Sequence, residues 1–243
     1  MSFEVIALPM LQDNYSWALI DHAQGKMAIV DPAEAAPVSQ LIAQLGVTLA
    51  VVLLTHHHAD HIGGAEDLRR QYHCEIWGAA ADQYRLPSLD RALHDGDAIA
   101  FAGVTGKVLA VPGHTVGHLA FYFAAAQALF CGDTLFSLGC GRLFEGTPEQ
   151  MFASLARLAA LPPATRVFCG HEYTASNGRF ALTVEPGNAD LAARMAEVTH
   201  LRAAGLPTVP STMGRELAAN PFLRTASPKE LAEIRKMKDN FRG

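Results

Sequence analysis

The chain has 243 residues, half of them apolar and 18% charged, with a formal charge of −5 at pH 7. That composition suits a soluble globular protein with a substantial core, built as one large domain or a medium one carrying a smaller. It argues against a broad phosphate-binding surface, and no apolar run is long enough to span a membrane, so neither nucleic acid nor a bilayer is an expected partner.

In chain order, runs rich in β-branched and aromatic residues predict strands at 2–8 (SFEVIAL), 15–21 (YSWALID), 26–31 (KMAIVD) and 50–56 (AVVLLTH). Before the last of these, Val38, Leu41, Ile42 and Leu45 share one helical face that ends at Gly46. Further strands are predicted at 74–77, 98–101, 107–111, 118–123, 128–133 and 166–171. Thr147-Pro148-Glu149-Gln150 reads as a capping box with proline at the first helical position. It opens a helix with Met151, Leu155 and Leu158 on one face, which Pro162-Pro163 ends. From about residue 172 the strand signals stop. Asn188 caps a helix carrying Leu191, Met195, Val198 and Leu201, with Gly205 past its end. Ser227-Pro228-Lys229-Glu230 is a second capping box for a final helix. Strands separated by helices predict sheets covered by helices, with a domain over 1–171 followed by a helical one over 172–243.

Cys74, Cys131, Cys140 and Cys169 lie far apart without CxxC spacing, so neither a disulfide framework nor a thiolate metal site is indicated. The start also lacks the basic-then-apolar pattern of a signal peptide, and a cytoplasmic protein is expected.

Residues 55–64, THHHADHIGG, crowd four histidines and an aspartate into six positions. Neutral imidazole and carboxylate oxygen are ligands for zinc, iron or manganese. If strand geometry persists at the end of AVVLLTH, His56 and His58 project to one side. The chain must then turn to bring Asp60 and His61 to the same space, with Gly63-Gly64 supplying flexibility and His57 left as the non-ligand. His114, Asp133 and His171 each follow an apolar run and a glycine, where a strand ends and exposes its next side chain. Together these are five histidines and two aspartates, enough for two metals with one bridging carboxylate. With a hydroxide between them the centre keeps a positive charge, suited to the added negative charge of a tetrahedral intermediate.

THHHADH resembles the HxHxDH signature of the metallo-β-lactamase superfamily. Within it, GDTLFSLGCGRLFEGTPEQM, CGHEYTASNGRFALTVEPGN, NPFLR and RKMKDNF resemble the glyoxalase II (hydroxyacylglutathione hydrolase) family, from DNY near residue 14 to the C-terminus. The resemblance implies an α+β fold: a four-layer αββα sandwich carrying the metals, with a C-terminal helical domain that helps to bind glutathione. It implies that His56, His58 and His114 hold one divalent metal, that Asp60, His61 and His171 hold a second, and that Asp133 bridges them. Zinc is the expected ion, and iron or manganese would accept the same ligands. A metal-bridging hydroxide would attack the thioester of S-D-lactoylglutathione or another S-2-hydroxyacylglutathione, releasing D-lactate and glutathione in the second step of methylglyoxal detoxification. Asp133, Asp60 and His61 would act catalytically through the metals.

Glutathione carries two carboxylates, and the last helix offers Arg235, Lys236 and Lys238. The resemblance singles out Arg235 and Lys238, with Arg142, as contacts to the glycine carboxylate, and Tyr173 as a contact to the peptide portion. Some family members carry lysine at the position of Arg142 and tyrosine at that of Phe144; Phe144 lacks the hydroxyl such members offer the substrate. His57 and His118 are expected to be structural or to support ligands, and Asp31 either orients a ligand histidine or caps a turn. No role is assigned to His22, His73, His94 or His200. The resemblance implies a small-molecule partner, and a monomer is expected. A one-iron persulfide dioxygenase, a β-lactamase, a nuclease and a metal-storage protein are the rival readings. The full ligand set, the unexported start, the negative charge and the open coordination positions weigh against them in turn.

Overall fold

The N-terminal apolar runs assemble into a mixed sheet. In the computed structural model of the protein, which describes residues 3–243, β1 (Glu4–Met10), β2 (Asn14–Asp21) and β3 (Lys26–Val30) run antiparallel in turn. Ser2, with which the first expected strand begins, lies outside the described residues. Helix α1 (Ala35–Leu45) then carries the chain across, so that β4 (Thr48–Leu53) pairs parallel to β3. Two helices, α2 (Ala59–Ile62) and α3 (Ala65–Tyr72), lead to β5 (Glu75–Ala79), and β6 (Arg91–Leu93) completes six strands in sequence order. β2, hydrogen-bonded on both edges by β1 and β3, is buried along its length.

Helix α1 ends where expected: Gly46 takes the left-handed conformation, φ 64°, and its N–H donates to the Ile42 carbonyl. Val38, Leu41 and Ile42 are buried, whereas Leu45, in the last turn, is 38% exposed and drops out of the predicted face.

The next strands, β7 (Ala98–Phe101), β8 (Val104–Ala110), β9 (Leu119–Phe123) and β10 (Ala128–Gly132), form an antiparallel meander. Ala102 and Gly103 both have positive φ, 54° and 70°, which gives the β7–β8 hairpin a turn whose twist matches its strands. Phe121, Phe123 and Phe130 are wholly buried, and Phe3 meets Phe123 edge-on at 5.1 Å. Each such aromatic side chain contributes about 1.5–3 kcal/mol by leaving water.

The chain divides into two compact units: residues up to 110 with 117–132, and residues 111–116 with 133–243. In the second unit, β11 (Leu135–Phe136) and β12 (Gly139–Cys140) make a small hairpin, followed by α4 (Pro148–Ala159), β13 (Arg166–Cys169), α5 (Thr174–Val184) and α6 (Ala189–Ala203). β14 (Ser211–Thr212) pairs antiparallel with β13, so strand structure does recur after residue 172; two residues are too few to show a period. Helices α7 (Met213–Ala219) and α8 (Pro228–Asn240) close the chain. The Thr147 capping box has both halves. At α8 only one half forms: Ser227 Oγ accepts from the Glu230 N–H at 3.3 Å, but the Glu230 carboxylate takes the Ala226 N–H instead of that of Ser227.

The β11–β12 hairpin is held by helix side chains. Buried Glu216 accepts from Ser137 Oγ at 3.0 Å and Leu138 N at 2.8 Å, and burial raises its pKa above the usual carboxylate range. Asn220 Nδ2 donates to the carbonyls of Phe136 and Gly139 at 3.1 and 3.0 Å. A Cβ on Gly139 would lie 2.4 Å from Asn177 Nδ2, so this close approach requires glycine. Leu138 joins Ala181, Leu191 and Ala219 in the apolar cluster beneath. The class is α+β, as expected. Among the described residues no helix is long and apolar enough to cross a membrane.

Candidate metal centre

β3 hands over to Asp31 and β4 to Thr55, and these two residues organise the histidine segment that follows. Buried Asp31 accepts the Thr55 N–H at 2.8 Å, the Thr55 hydroxyl at 2.6 Å and His61 Nδ1–H at 3.0 Å. Of its two possible roles, the geometry is that of orienting a histidine. With Nδ1 donating, the His61 lone pair is on Nε2, which lies 3.6 Å from Asp60 Oδ2. The Thr55 hydroxyl, already donating to Asp31, accepts from His56 Nδ1 at 3.0 Å, and the His56 lone pair is likewise on Nε2. That nitrogen faces His58 Nδ1 at 3.1 Å, so His56 and His58 do come together, but β4 ends at Leu53 and the strand geometry expected to place them stops short of them. Asn14, at the start of β2, donates to Asp60 Oδ2 at 3.0 Å and to the Asp60 carbonyl at 3.1 Å.

His57 turns to Asp82, Nδ1 to Oδ2 at 3.2 Å, and Asp82 also holds Arg85. His118 stacks on His56, with ring centroids 4.7 Å apart. Gly63 and Gly64 serve differently from the expectation. Both have ordinary right-handed backbone angles, so flexibility is not what the turn needs. A Cβ would stand 2.6 Å from the Ala33 carbonyl oxygen at Gly63 and 2.6 Å from the Glu34 carbonyl carbon at Gly64. Close packing of the helix start against the loop after β3 is the requirement.

In the second unit, His114 Nδ1 donates to the Arg142 carbonyl at 2.9 Å, again leaving the lone pair on Nε2. His114 Nε2 lies 3.6 Å and His171 Nε2 3.2 Å from the same atom, Asp133 Oδ2. Gly141 packs against the Asp133 backbone, where a Cβ would stand 2.0 Å from the carbonyl oxygen. Tyr173 lies flat on His171, 4.6 Å between centroids and 3° between planes, and Phe136 meets both edge-on. Phe144 is 61% exposed, with its ring 5.2 Å from that of His114.

Each unit therefore presents imidazole lone pairs beside a carboxylate, with thiolate absent from the set. That donor chemistry fits zinc, iron or manganese. The four cysteines are buried and form no disulfide; burial pushes Cys140 up to about 11 and Cys169 up to about 12, so neither is a ready thiolate.

Arg142, Arg235 and Lys238, predicted to act together, lie in the second unit. Arg235 is buried and donates through Nη1 to the Cys140 carbonyl at 2.8 Å and through Nη2 to Asp239 Oδ1 at 3.0 Å. Lys238 Nζ donates to Ser176 O and Oγ at 3.2 and 3.1 Å and lies near the rings of Phe180 and Phe241. Burial, aided by the charges of Arg235, Arg179 and Arg142, lowers its pKa to about 8. Lys236, in the same sequence run, is exposed.

Residues 12–171 match the metallo-beta-lactamase superfamily, and residues 172–241 match the hydroxyacylglutathione hydrolase C-terminus. A hydroxyacylglutathione hydrolase of Acidiphilium cryptum (strain JF-5) is 56% identical over 239 residues, 98% of this chain and 97% of that one. Among solved structures, ETHE1 from Myxococcus xanthus is similar with a TM-score of 0.73 and 25% identity, covering 100% of this chain and 92% of that one. TTHA1623, solved in a di-iron-bound form, is similar with a TM-score of 0.63 and 27% identity, covering 90% and 99%. With both of its segments matched and a relative of that identity along almost its whole length, the chain belongs to the hydroxyacylglutathione hydrolase (glyoxalase II) family of the metallo-β-lactamase superfamily.

Proposed function

We propose that the protein hydrolyses S-D-lactoylglutathione and related S-2-hydroxyacylglutathiones to the 2-hydroxy acid and glutathione, the second step of methylglyoxal detoxification. The observation that carries this reading is the cationic cluster of Arg142, Arg235 and Lys238 within a chain similar from end to end to hydroxyacylglutathione hydrolases.

The ligands we assign to two divalent metals, zinc foremost, are His56, His58, Asp60 and His61 in one unit and His114, Asp133 and His171 in the other. When bound, such ions acidify water and polarise a carbonyl oxygen, the two demands of thioester hydrolysis. The chain's own residues prepare that chemistry. Asp31 and Thr55 keep the ring protons of His61 and His56 on Nδ1, and the Arg142 carbonyl does the same for His114, so Nε2 is the donor atom in each. Asp133, Asp60 and His61 would contribute to catalysis by holding those ions. The flat Tyr173 ring restrains His171, and its hydroxyl is assigned to the peptide portion of glutathione.

Arg142, Arg235 and Lys238 are assigned to the glycine carboxylate. Arg235 has five N–H donors in a planar fork, and its bonds to Cys140 and Asp239 leave some for a second carboxylate. The thiolate of glutathione is a fair leaving group, so no strong general acid is needed. We place the enzyme in the cytoplasm, a reading that four cysteines without a disulfide support.

The test is steady-state hydrolysis by metal-loaded protein of S-D-lactoylglutathione beside a lactoyl thioester of a truncated thiol lacking the glycine carboxylate. A much larger kcat/KM for the glutathione thioester is expected. Equal, appreciable rates would keep the thioesterase and discard glutathione, and no turnover of either would refute the hydrolase.

A further inference from the structure

One acid sits within the cluster of cations. Asp239 Oδ1 accepts from Arg235 Nη2 at 3.0 Å and from Arg235 Nε at 3.2 Å, and the same oxygen lies 3.7 Å from Arg142 Nε. Arg235 comes from α8 and Arg142 from the segment after β12, so a single carboxylate oxygen gathers guanidinium groups from two elements distant in sequence. The Arg235 side chain is only 7% exposed and its other limb is fixed on the Cys140 carbonyl. The Arg142 side chain is 63% exposed, where an ion pair alone orders little.

We propose, on the basis of the glutathione assignment above, that Asp239 is the positioning residue of the substrate-carboxylate anchor, holding Arg235 and Arg142 in the arrangement that receives the glycine carboxylate. Two guanidinium groups that converge on one anion repel each other before the anion arrives. Asp239 offsets that repulsion in the unliganded protein and sets the plane of the Arg235 fork, so less ordering is left for substrate binding. It also opposes the cations that depress Lys238, and so keeps a third positive charge in the cluster. A plain helix-stabilising pair at i and i+4 would do neither; it would affect melting and leave substrate preference alone.

The experiment compares KM for S-D-lactoylglutathione with KM for the truncated lactoyl thioester in the unaltered enzyme and in Asp239→Asn, Asp239→Ala and Asp239→Glu. The first two variants are expected to raise KM for the glutathione thioester about tenfold relative to the truncated one, the order expected for a charge-assisted hydrogen bond. Asp239→Glu, which keeps the charge and can span the same i and i+4 spacing, is expected to restore most of the preference. Thermal melting of each variant reports on folding. A KM ratio that stays unchanged in the Asn and Ala variants while melting falls would overturn the positioning role. So would a lower KM in the Asn variant, which would make Asp239 a competitor of the substrate. If the unaltered enzyme shows no preference between the two thioesters, the anchor assignment itself fails and this proposal falls with it.

Discussion

Replacing Asp31 probes the organisation of the histidine segment most directly, because one buried carboxylate serves three donors. Asp31→Ala strands the buried Thr55 N–H and removes the partner of His61 Nδ1. Each buried donor left without its partner costs about 1–3 kcal/mol, so the loss is a large part of the about 5–15 kcal/mol by which domains are stable. Asp31→Asn is the sharper variant. Asparagine tolerates the left-handed backbone here, φ 51°, and keeps the shape. With the amide oxygen on Thr55 N–H, the amide N–H group takes the place of Oδ2 and faces both His61 Nδ1, which must then accept, and the Thr55 hydroxyl, which must turn its proton to His56 Nδ1. In both rings the proton moves to Nε2, the atom assigned to the metal. The expected result is a folded protein whose metal affinity at the His56 and His61 positions falls about 10–100-fold, the usual effect of losing a ligand's supporting partner. Metal content after dialysis against a chelator, measured beside urea unfolding of the metal-free protein, checks both parts. Undiminished metal content in Asp31→Asn would refute the tautomer reasoning, and an unchanged urea midpoint in Asp31→Ala would refute the hydrogen-bond accounting.

Gly64→Ala is expected to cost about 1–3 kcal/mol and to lower metal content, because its Cβ would meet backbone atoms of Glu34 and Ala35 at 2.6 and 2.7 Å. Gly187→Ala, with nothing within 4 Å, is the matched control and should be neutral or slightly stabilising by melting. Lys238, with its pKa lowered to about 8, loses its charge as pH rises through that value, so KM for the glutathione thioester should climb above about pH 8, and Lys238→Arg should abolish the climb. Stability runs the opposite way. The unfolded chain holds the lysine proton up to the ordinary value of 10.5, so it binds more protons than the folded one between about 8 and 10.5, and this group's contribution to stability rises with pH across that window. A KM that stays flat across that range would remove Lys238 from the anchor.

Short-range pattern carried most of the fold. Strands expected from composition appear at β1 to β5, β7 to β10 and β13, and the Thr147 box and the Gly46 stop lie where turn and cap chemistry puts them. Helix α3, AEDLRRQY, leaves no signature in the sequence because only Ala65 and Leu68 of its residues are buried, too few to show a helical period. β6, β11, β12 and β14 are two or three residues long and are made by their neighbours.

The donor types of the candidate centre were also legible, since His and Asp at strand ends declare their chemistry by identity alone. Their supports were not. His61 depends on Asp31, thirty residues earlier, and Asp60 on Asn14, forty-six earlier. Spacing along the chain says nothing about such pairs. The sequence by itself determined which atoms are available to hold metal and which helix end carries the cations. Tertiary structure decided which imidazole nitrogen bears the lone pair, why Gly63 and Gly64 must lack a Cβ, and that Arg142 and Arg235 share the oxygen of Asp239. The reason is physical: a ring tautomer and a guanidinium orientation are set by the hydrogen-bond partner, and here the partner comes from another part of the chain.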